Sequence, residues 1–445
     1  MRWLKTFLPA LMAIAVVCPV SRGSAKPNIV LILVDDLGYG DLTSFGADDL
    51  HTPHIDELMS RGMRCDQFYA NCTVCSPTRA SLMTGRYPDL VGVPGVIRQW
   101  NDDSWGYLDP NVDTLPQLLK TAGYNTAMVG KWHLGFEPPN TPNVRGFDFF
   151  HGFLADMMDD YRSHLRGGKN WMRRNQEVVD PEGHATDLFS QWSIDYINEH
   201  SGQDTPFFLY LAYNAPHFPI QPPKEWLTKV KSREPQLDDT RVANVAFIEH
   251  LDNGIGSVVA AIKAAGIEDN TIVIFSSDNG GSLSHAQSNG ALRGGKQDHW
   301  EGGIRVPTCV VWPGKIPQQR SNAIGMTMDF LPTLCEIAGA EVRGPVDGRS
   351  LTDVWFRSAR GDSQRTLIWV RREGNRRYQG RAYYAIRKGP WKLQQSSPFE
   401  PMVLVNLDKD PGERNPQAAD NEIAGRLRKE LMLHLQRAGA VRWQP

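Results

Sequence analysis

Residues 27–36 read PNIVLILVDD, an unbroken apolar run that ends in two acids. A strand with apolar side chains on both faces must be covered on both faces, as in a sheet with helices above and below it. FFLYLAYNAPH (207–217) and NTIVIFSSDNG (270–280) have the same character, YNTAMVGKWHLG (124–135) reads as a strand running into a loop, and VPTCVVWPG adds another strand. Between these runs lie helical patterns. TPHIDELMSRG (52–62) has Thr52 as cap, Pro53 at the first helical position and Gly62 as stop. TLPQLLKTAG (114–123), a long stretch at about 240–265 and DFLPTLCEIAG follow the same logic. Strands alternating with helices predict an α/β fold: a three-layer sandwich around a large mixed, mostly parallel sheet.

After about residue 350 the pattern changes. YYAIRKGPWKLQQ and MVLVNLDKDPGE read as antiparallel strands, and about 419–438 as an amphipathic helix. A chain of 445 residues suits one large domain and one small one. The expected division is a large α/β domain over 26–350 and a smaller α+β domain with an antiparallel sheet over 351–445.

Residues 1–25 read as a signal peptide. Arg2 and Lys5 precede FLPALMAIAVVCPV, which is too short to span a bilayer, and small residues around Ala25 suit cleavage there. The expected location is therefore outside the cytoplasm, periplasmic or extracellular, with no further membrane span. Cys18 leaves with the leader. Cys65, Cys72, Cys75, Cys309 and Cys335 remain, an odd number that points to one special thiol. The spacing of Cys65, Cys72 and Cys75 could suggest zinc, but no histidine lies nearby to complete such a site. The pairing of Cys65, Cys72, Cys309 and Cys335 is open.

Charge is unevenly spread. From Leu351 onward there are 18 Lys/Arg and 10 Asp/Glu, against a total of 48 and 50 in the whole chain. A basic C-terminal part on an acidic body suits either an anionic partner or a merely solvated face. Residues 365–392 hold nine basic residues and one acid, interleaved with Trp369, Tyr378, Tyr383, Tyr384 and Trp391. Within them Arg371, Arg372, Arg376 and Arg377 read as a loop between strands, and Arg376 and Arg377 are candidates for substrate contact. No nucleic-acid partner is expected.

In open α/β sheets, ligands bind beyond the carboxyl ends of the strands. Asp35 and Asp36 end one strand, Asp278 and Asn279 another. Acids after a single strand would more often form a turn. Two such pairs at one rim suit a hard cation such as calcium or magnesium. In the run Cys75-Ser76-Pro77-Thr78-Arg79, Ser76 reads as a helix cap, Pro77 as its first turn and Gly85 as its stop. That places Cys75 just before a helix N-terminus, which favours anions. Arg79 lies one turn on. Lys131 and His133 face one way in extended chain, His217 ends a buried strand, and Lys296 lies in LRGGKQDHWEGGIRVP. Taken singly each would usually be structural. Together they point to an anionic substrate group.

The sequence C-x-P-x-R followed by LMTGR resembles the signature of the type I formylglycine-dependent sulfatases of the alkaline phosphatase superfamily. NIVLILVDDLGYGDL, GKWHLG, APHFP, SSDNGG, GGKxxxxEGGIRVP and LVNLDKDPGERN are similar to that family's other blocks, in the same order. The resemblance implies that a formylglycine-generating maturase oxidises Cys75 to 3-oxoalanine. The hydrated aldehyde attacks sulfur, and its second hydroxyl supplies the exit that regenerates the aldehyde. It further implies that Asp35, Asp36, Asp278, Asn279 and the modified Cys75 hold calcium. Arg79 and Lys131 would steady the hydrate, Lys131 and Lys296 neutralise the sulfate, His217 protonate the leaving oxygen and His133 take the diol proton. A polar group after the GF..F.G block, here GFDFFHGF (146–153), is expected from Asp156, with Asp159 and Asp160 as alternatives. Sulfated mono- or oligosaccharides of galactose or N-acetylgalactosamine are the substrates that fit best. A phosphate or phosphonate ester hydrolase of the same superfamily and a non-catalytic calcium-dependent glycan-binding protein are the competing readings.

Overall fold

A computed structural model describes residues 26–373, 382–397 and 399–444. The expected leader, Arg376, Arg377 and Tyr378 lie outside the described residues.

A sheet of 10 strands divides the large body. From one edge the order is Gln319–Ser321, Met63–Cys65, Cys309–Val311, Thr271–Ser277, Asn28–Val34, Phe207–Ala212, Asn125–Lys131, Phe149–Phe153, Met172–Arg174 and Glu177–Val178. The run from Thr271–Ser277 to Phe149–Phe153 is parallel throughout. Antiparallel pairs flank it on both sides.

The apolar run of the first strand is explained by its place. Ile29, Leu31 and Leu33 join one core with Tyr210 and Ile274, under the helices Cys75–Thr84, Leu115–Thr121 and Phe330–Ala338. Val30, Ile32 and Val34 join a second core on the other face, under Pro53–Arg61, Ala185–His200 and Asp239–Ala264. Alternate side chains of one strand thus feed two cores. Helix Asp239–Ala264 is long and apolar enough to cross a membrane, which the sequence reading did not anticipate; most of it is buried inside the fold.

Thr52 does not cap its helix as expected. Its hydroxyl engages Thr43 and Asp56, while the free amides of His54 and Ile55 donate to Asp252 on the long helix, at 3.2 and 2.8 Å.

The second sheet is antiparallel: Thr366–Arg372, Ala382–Lys388, Trp391–Gln395, Val403–Asn406 and Gln417–Ala418, with helix Glu422–Ala438 packed on it. Arg371 and Arg372 therefore belong to a strand, where the sequence suggested a loop. Much of the positive charge here is internal. Arg365 holds Asp329, Arg371 holds Glu373, Arg387 reaches Tyr69 and Gln67, and Lys392 lies between Glu301 and Glu413. All four cations are buried. The charge asymmetry partly reflects contacts of Arg365, Arg387 and Lys392 that fasten this sheet to the large body. Among the described residues the five cysteines are buried and form no disulfide.

Candidate active site

Two neighbouring parallel strands, Asn28–Val34 and Thr271–Ser277, end side by side and deliver their acids to one point. Asp36 turns the chain in left-handed conformation at φ 69°. Its amide donates to Asp278 Oδ1 at 3.2 Å, and the Leu37 amide donates to Ser277 Oγ at 3.1 Å, which stitches the two turns together. Asn279 Nδ2 donates to Asp36 Oδ1 at 2.8 Å. Asn279 Oδ1 is left buried without a partner among the described residues.

The helix opposite begins at Cys75 itself, with Val74 in the cap position. Cys75 is thus in the first turn and not before it. Ser76 does not cap; its hydroxyl accepts the Ile97 amide at 3.0 Å. Gly85 ends the helix at φ 67°, as expected. Cys75 Sγ lies 3.2 Å from Asp35 Oδ1. One turn on, Arg79 donates to Asp278 Oδ2 at 2.9 Å and to the Lys131 carbonyl at 3.0 Å. The Lys131 ammonium sits on Asp35 Oδ2, and the Lys296 ammonium on Asp36 Oδ2 at 2.7 Å. His217 Nε2 is 3.6 Å from the same Asp36 oxygen.

His133 does not lie where a continuous extended chain would place it. Lys131 ends its strand, and His133 turns the chain at φ 60°, so the two are not successive residues of one extended face. His133 Nε2 donates to the Ile97 carbonyl at 2.9 Å; a carbonyl only accepts, so Nε2 carries the hydrogen. Nδ1 then holds a lone pair, buried and without a partner among the described residues.

Burial opposes the charge of Asp35, yet Lys131, His217, Arg79 and Lys296 together hold its carboxyl well below the usual range. Asp278 goes the other way: burial and the adjacent Asp35 charge raise it, against Arg79. Burial, Asp278 and Asp35 push the Cys75 thiol well up. A thiol so placed stays protonated, the reverse of an activated cysteine nucleophile. Burial and the Lys131 and Arg79 charges keep His133 neutral. Burial and Lys296 pull His217 down to about 4.

The donor set is one that suits a hard cation. Oxygens of Asp35 and Asp36, the Cys75 sulfur and a His217 nitrogen lie within 4.8 Å of one another. Asp278 is hydrogen-bonded into the same group, and Asn279 offers an unused buried oxygen. Three crowded carboxylates, one raised by its neighbour, are a set that a divalent cation stabilises. The residues fit such an ion.

Residues 27–340 match the family model described as Sulfatase, and 295–439 the model described as N-sulphoglucosamine sulphohydrolase, C-terminal. The chain belongs to the sulfatase family. It is 31% identical to N-acetylgalactosamine-6-sulfatase of Sus scrofa, across 96% of this chain and 88% of that one. It is also 31% identical to arylsulfatase A of Homo sapiens, across 98% and 92%. The crystal structure of Ps i-CgsB in complex with k-i-k-neocarrahexaose superposes with a TM-score of 0.85, at 30% identity over 93% of each chain. As a sulfatase the protein is a sulfuric ester hydrolase.

In this sulfatase Asp156 gives both carboxylate oxygens to Arg166, at 2.9 and 3.0 Å. Asp159 also meets Arg166, and Asp160 accepts the Arg162 and Ser163 amides. The polar feature after the GF..F.G block is thus an ion pair, and none of the three acids joins the Cys75 cluster directly.

Sequence reading missed the residues that hold the clustered side chains in place. The Tyr161 hydroxyl bonds the carbonyls of Asn214 and His217, at 2.8 and 2.9 Å. The Lys296 loop is pinned at both ends. At Gly280 a Cβ would stand 1.8 Å from the Gly302 carbonyl, so only glycine lets the loop lie against the Asp278 turn. Beyond it, Lys392 bridges Glu301 and Glu413 at 3.0 and 2.8 Å, and Arg293 donates to the Glu413 carbonyl at 2.7 Å. EGGIRVP and DPGERN carried a hint, since each places a glutamate in a stretch that is otherwise turn-like; nothing in the sequence pairs the two.

Proposed function

We propose that this sulfatase cleaves sulfate esters of carbohydrates of the galactose or N-acetylgalactosamine type, after Cys75 has been converted to 3-oxoalanine and with calcium held by Asp35, Asp36, Asp278 and Asn279. The observation that carries the reading is the state of Cys75. It stands among the Asp35 and Asp278 carboxylates and the Lys131 and Lys296 ammonium groups, 3.2 Å from Asp35 Oδ1, and burial with the two carboxylates holds it as a protonated, inert thiol. The saccharide class is supported by relatives whose names specify N-acetylgalactosamine 6-sulfate and by the neocarrahexaose complex. Export by residues 1–25 is part of the same proposal.

When present, 3-oxoalanine supplies, as its hydrate, an oxygen nucleophile and a second hydroxyl on one carbon. Calcium supplies Lewis acidity that lowers the pKa of an oxygen bound to it. The remaining work falls to side chains seen here. Arg79, fixed on Asp278 and the Lys131 carbonyl, orients the Cys75 side chain from one turn away. Lys131 and Lys296, the ammonium groups nearest the carboxylates, face the sulfate and offset its charge. His217 gives a proton to the leaving oxygen. An anionic ester beside Lys296 counters the charge that depresses this imidazole, and so favours its protonated form. His133 accepts a proton at Nδ1, because Nε2 is committed to Ile97.

The test is release of sulfate from defined sulfated galactose and N-acetylgalactosamine derivatives by protein co-produced with a formylglycine-generating maturase. Sulfate and phosphate esters of one alcohol are compared in parallel. Preference for the phosphate ester, or no turnover of any sulfated sugar, overturns the reading.

A further inference from the structure

The pocket cations account for the sulfate group but not for the alcohol to which it is bonded. Next to His217 stands Phe218, a large apolar side chain that is 43% exposed. A single exposed phenylalanine would call for no explanation. This one is stacked on His285, with ring centroids 4.6 Å apart and planes 18° from parallel. Leu283, 55% exposed, lies in the same short turn as His285.

The pair is built into the site. His285 Nδ1 meets Ser282 Oγ at 3.0 Å, which leaves Nε2 as its remaining polar atom. Buried Gln287 joins the two loops: its amide donates to the Pro216 carbonyl at 3.0 Å, and its carbonyl oxygen accepts the Ser282 amide. The His217 ring contacts the Phe218 carbonyl, so the orientation of the proposed proton donor and the place of the Phe218 backbone are coupled. His285 is near enough to Asp36 and Lys296 to feel both charges.

A group that protonates the leaving oxygen stands on the leaving-group side of sulfur. Whatever flanks it meets the departing alcohol. We propose that the Phe218–His285 stack is a subsite for the pyranose ring of the ester's alcohol part, with the C–H face of the sugar on the phenyl ring and a hydroxyl at His285 Nε2. An apolar face joined to a hydrogen-bonding edge matches a sugar better than a hydrocarbon chain, which has no use for the imidazole. The inference rests on the sulfatase reading above.

Phe218→Ala and Phe218→Tyr separate it from a structural role. The probe is whichever sulfated galactose or N-acetylgalactosamine the matured wild-type protein turns over best, with inorganic sulfate as competitive inhibitor. Loss of one ring contact should raise KM in Phe218→Ala by about three- to tenfold. Phe218→Tyr should stay within about twofold of wild type, since the ring is kept. The inhibition constant of inorganic sulfate, which touches only the cations, should not move in either variant. If sulfate inhibition weakens as much as KM rises, Phe218 merely props the pocket that holds the sulfate and the subsite is wrong. An unmoved KM in Phe218→Ala also overturns it, as does wild-type turnover of aryl sulfates with none of sugar sulfates. Absence of turnover on every sulfate ester removes both this subsite and the sulfatase chemistry beneath it.

Discussion

Cys75 Sγ lies 3.2 Å from Asp35 Oδ1, and the other oxygen of that carboxylate carries the Lys131 ammonium. The pairing sets the chemistry of the site. Lys131 satisfies Asp35 and keeps it ionised; burial first, then the Asp278 and Asp35 charges, hold the neighbouring sulfur protonated.

A protonated thiol is a poor nucleophile, so activity should depend on converting it. A tryptic peptide that spans Cys75 should be about 18 Da lighter when the protein is made with a maturase, the change from thiol to aldehyde. Cys75→Ala should show no turnover while its melting temperature falls by only a few degrees, since a change at one helix-start position costs on the order of 1 kcal/mol. Mass spectrometry, a sulfate-release assay and a thermal melt check the three parts. Activity in Cys75→Ala equal to wild type would exclude the mechanism.

Asp278 should carry a calcium-dependent share of stability. Its carboxyl is raised by burial and by Asp35, a conflict that a bound cation removes. Calcium at about a hundred times its dissociation constant should stabilise the wild-type protein by roughly 2.7 kcal/mol. Most of that gain should vanish in Asp278→Asn, together with turnover. Thermal melts with and without a chelator measure both. A wild-type melting temperature and rate that ignore chelation would mean that the oxygen cluster holds no metal.

The layers of the fold were legible because both-face burial leaves unbroken apolar runs, and the first strand shows the rule: its odd and even residues enter different cores. Asp35, Asp36, Asp278 and Asn279 were legible as endings of such runs. Local cap chemistry misled in two places. Thr52 has the right side chain at the cap position, but Asp56 claims its hydroxyl; Ser76 lies two residues past Val74, which takes the cap position, and its hydroxyl accepts the Ile97 amide. Asp252 caps across 198 residues of chain, and Lys392 meets Glu301 across 91. Pairings of that span leave no trace in spacing. The basic window left its two readings open for the same reason: composition counts charges but does not say that Arg365, Arg371, Arg387 and Lys392 are already spent on partners inside the molecule.

Asp252 predicts an unusual pH dependence. Burial raises its carboxyl to about 7, although the amides of Ile55 and His54 pull it down. An acid whose folded value exceeds its unfolded one binds more protons in the native state, so its contribution to stability falls as pH rises from about 4 through 7. Asp252→Asn removes this titration but loses part of the cap, which costs about 1 kcal/mol. The variant should therefore be less stable than wild type at pH 5, and the deficit should shrink or reverse at pH 8. Urea melts of both proteins at the two values decide it; a deficit that grows with pH would refute the assignment.

A brace of buried ion pairs stands behind Lys296. Lys392 is fully buried between Glu301 and Glu413, and Arg293 donates to the Glu413 carbonyl from the same loop that carries Lys296. Lys392→Met leaves two buried carboxylates facing each other, and breaking a buried pair in this way costs about 3–5 kcal/mol. That variant should melt far below wild type, which says nothing about catalysis. Arg293→Ala is the milder probe, because Arg293 is exposed and its removal frees the loop without stranding a buried charge. It should lower kcat/KM for a sulfate ester by about tenfold, the scale on which misplacing a charge-stabilising group acts. If the brace works through Lys296, the two losses will not add. Arg293→Ala in a Lys296→Gln background should then cost almost nothing beyond Lys296→Gln alone, measured as kcat/KM in a double-mutant cycle. Additive losses would show that Arg293 acts elsewhere, and an Arg293→Ala enzyme with wild-type kcat/KM would show that the glycine contacts at Gly280 hold the loop unaided.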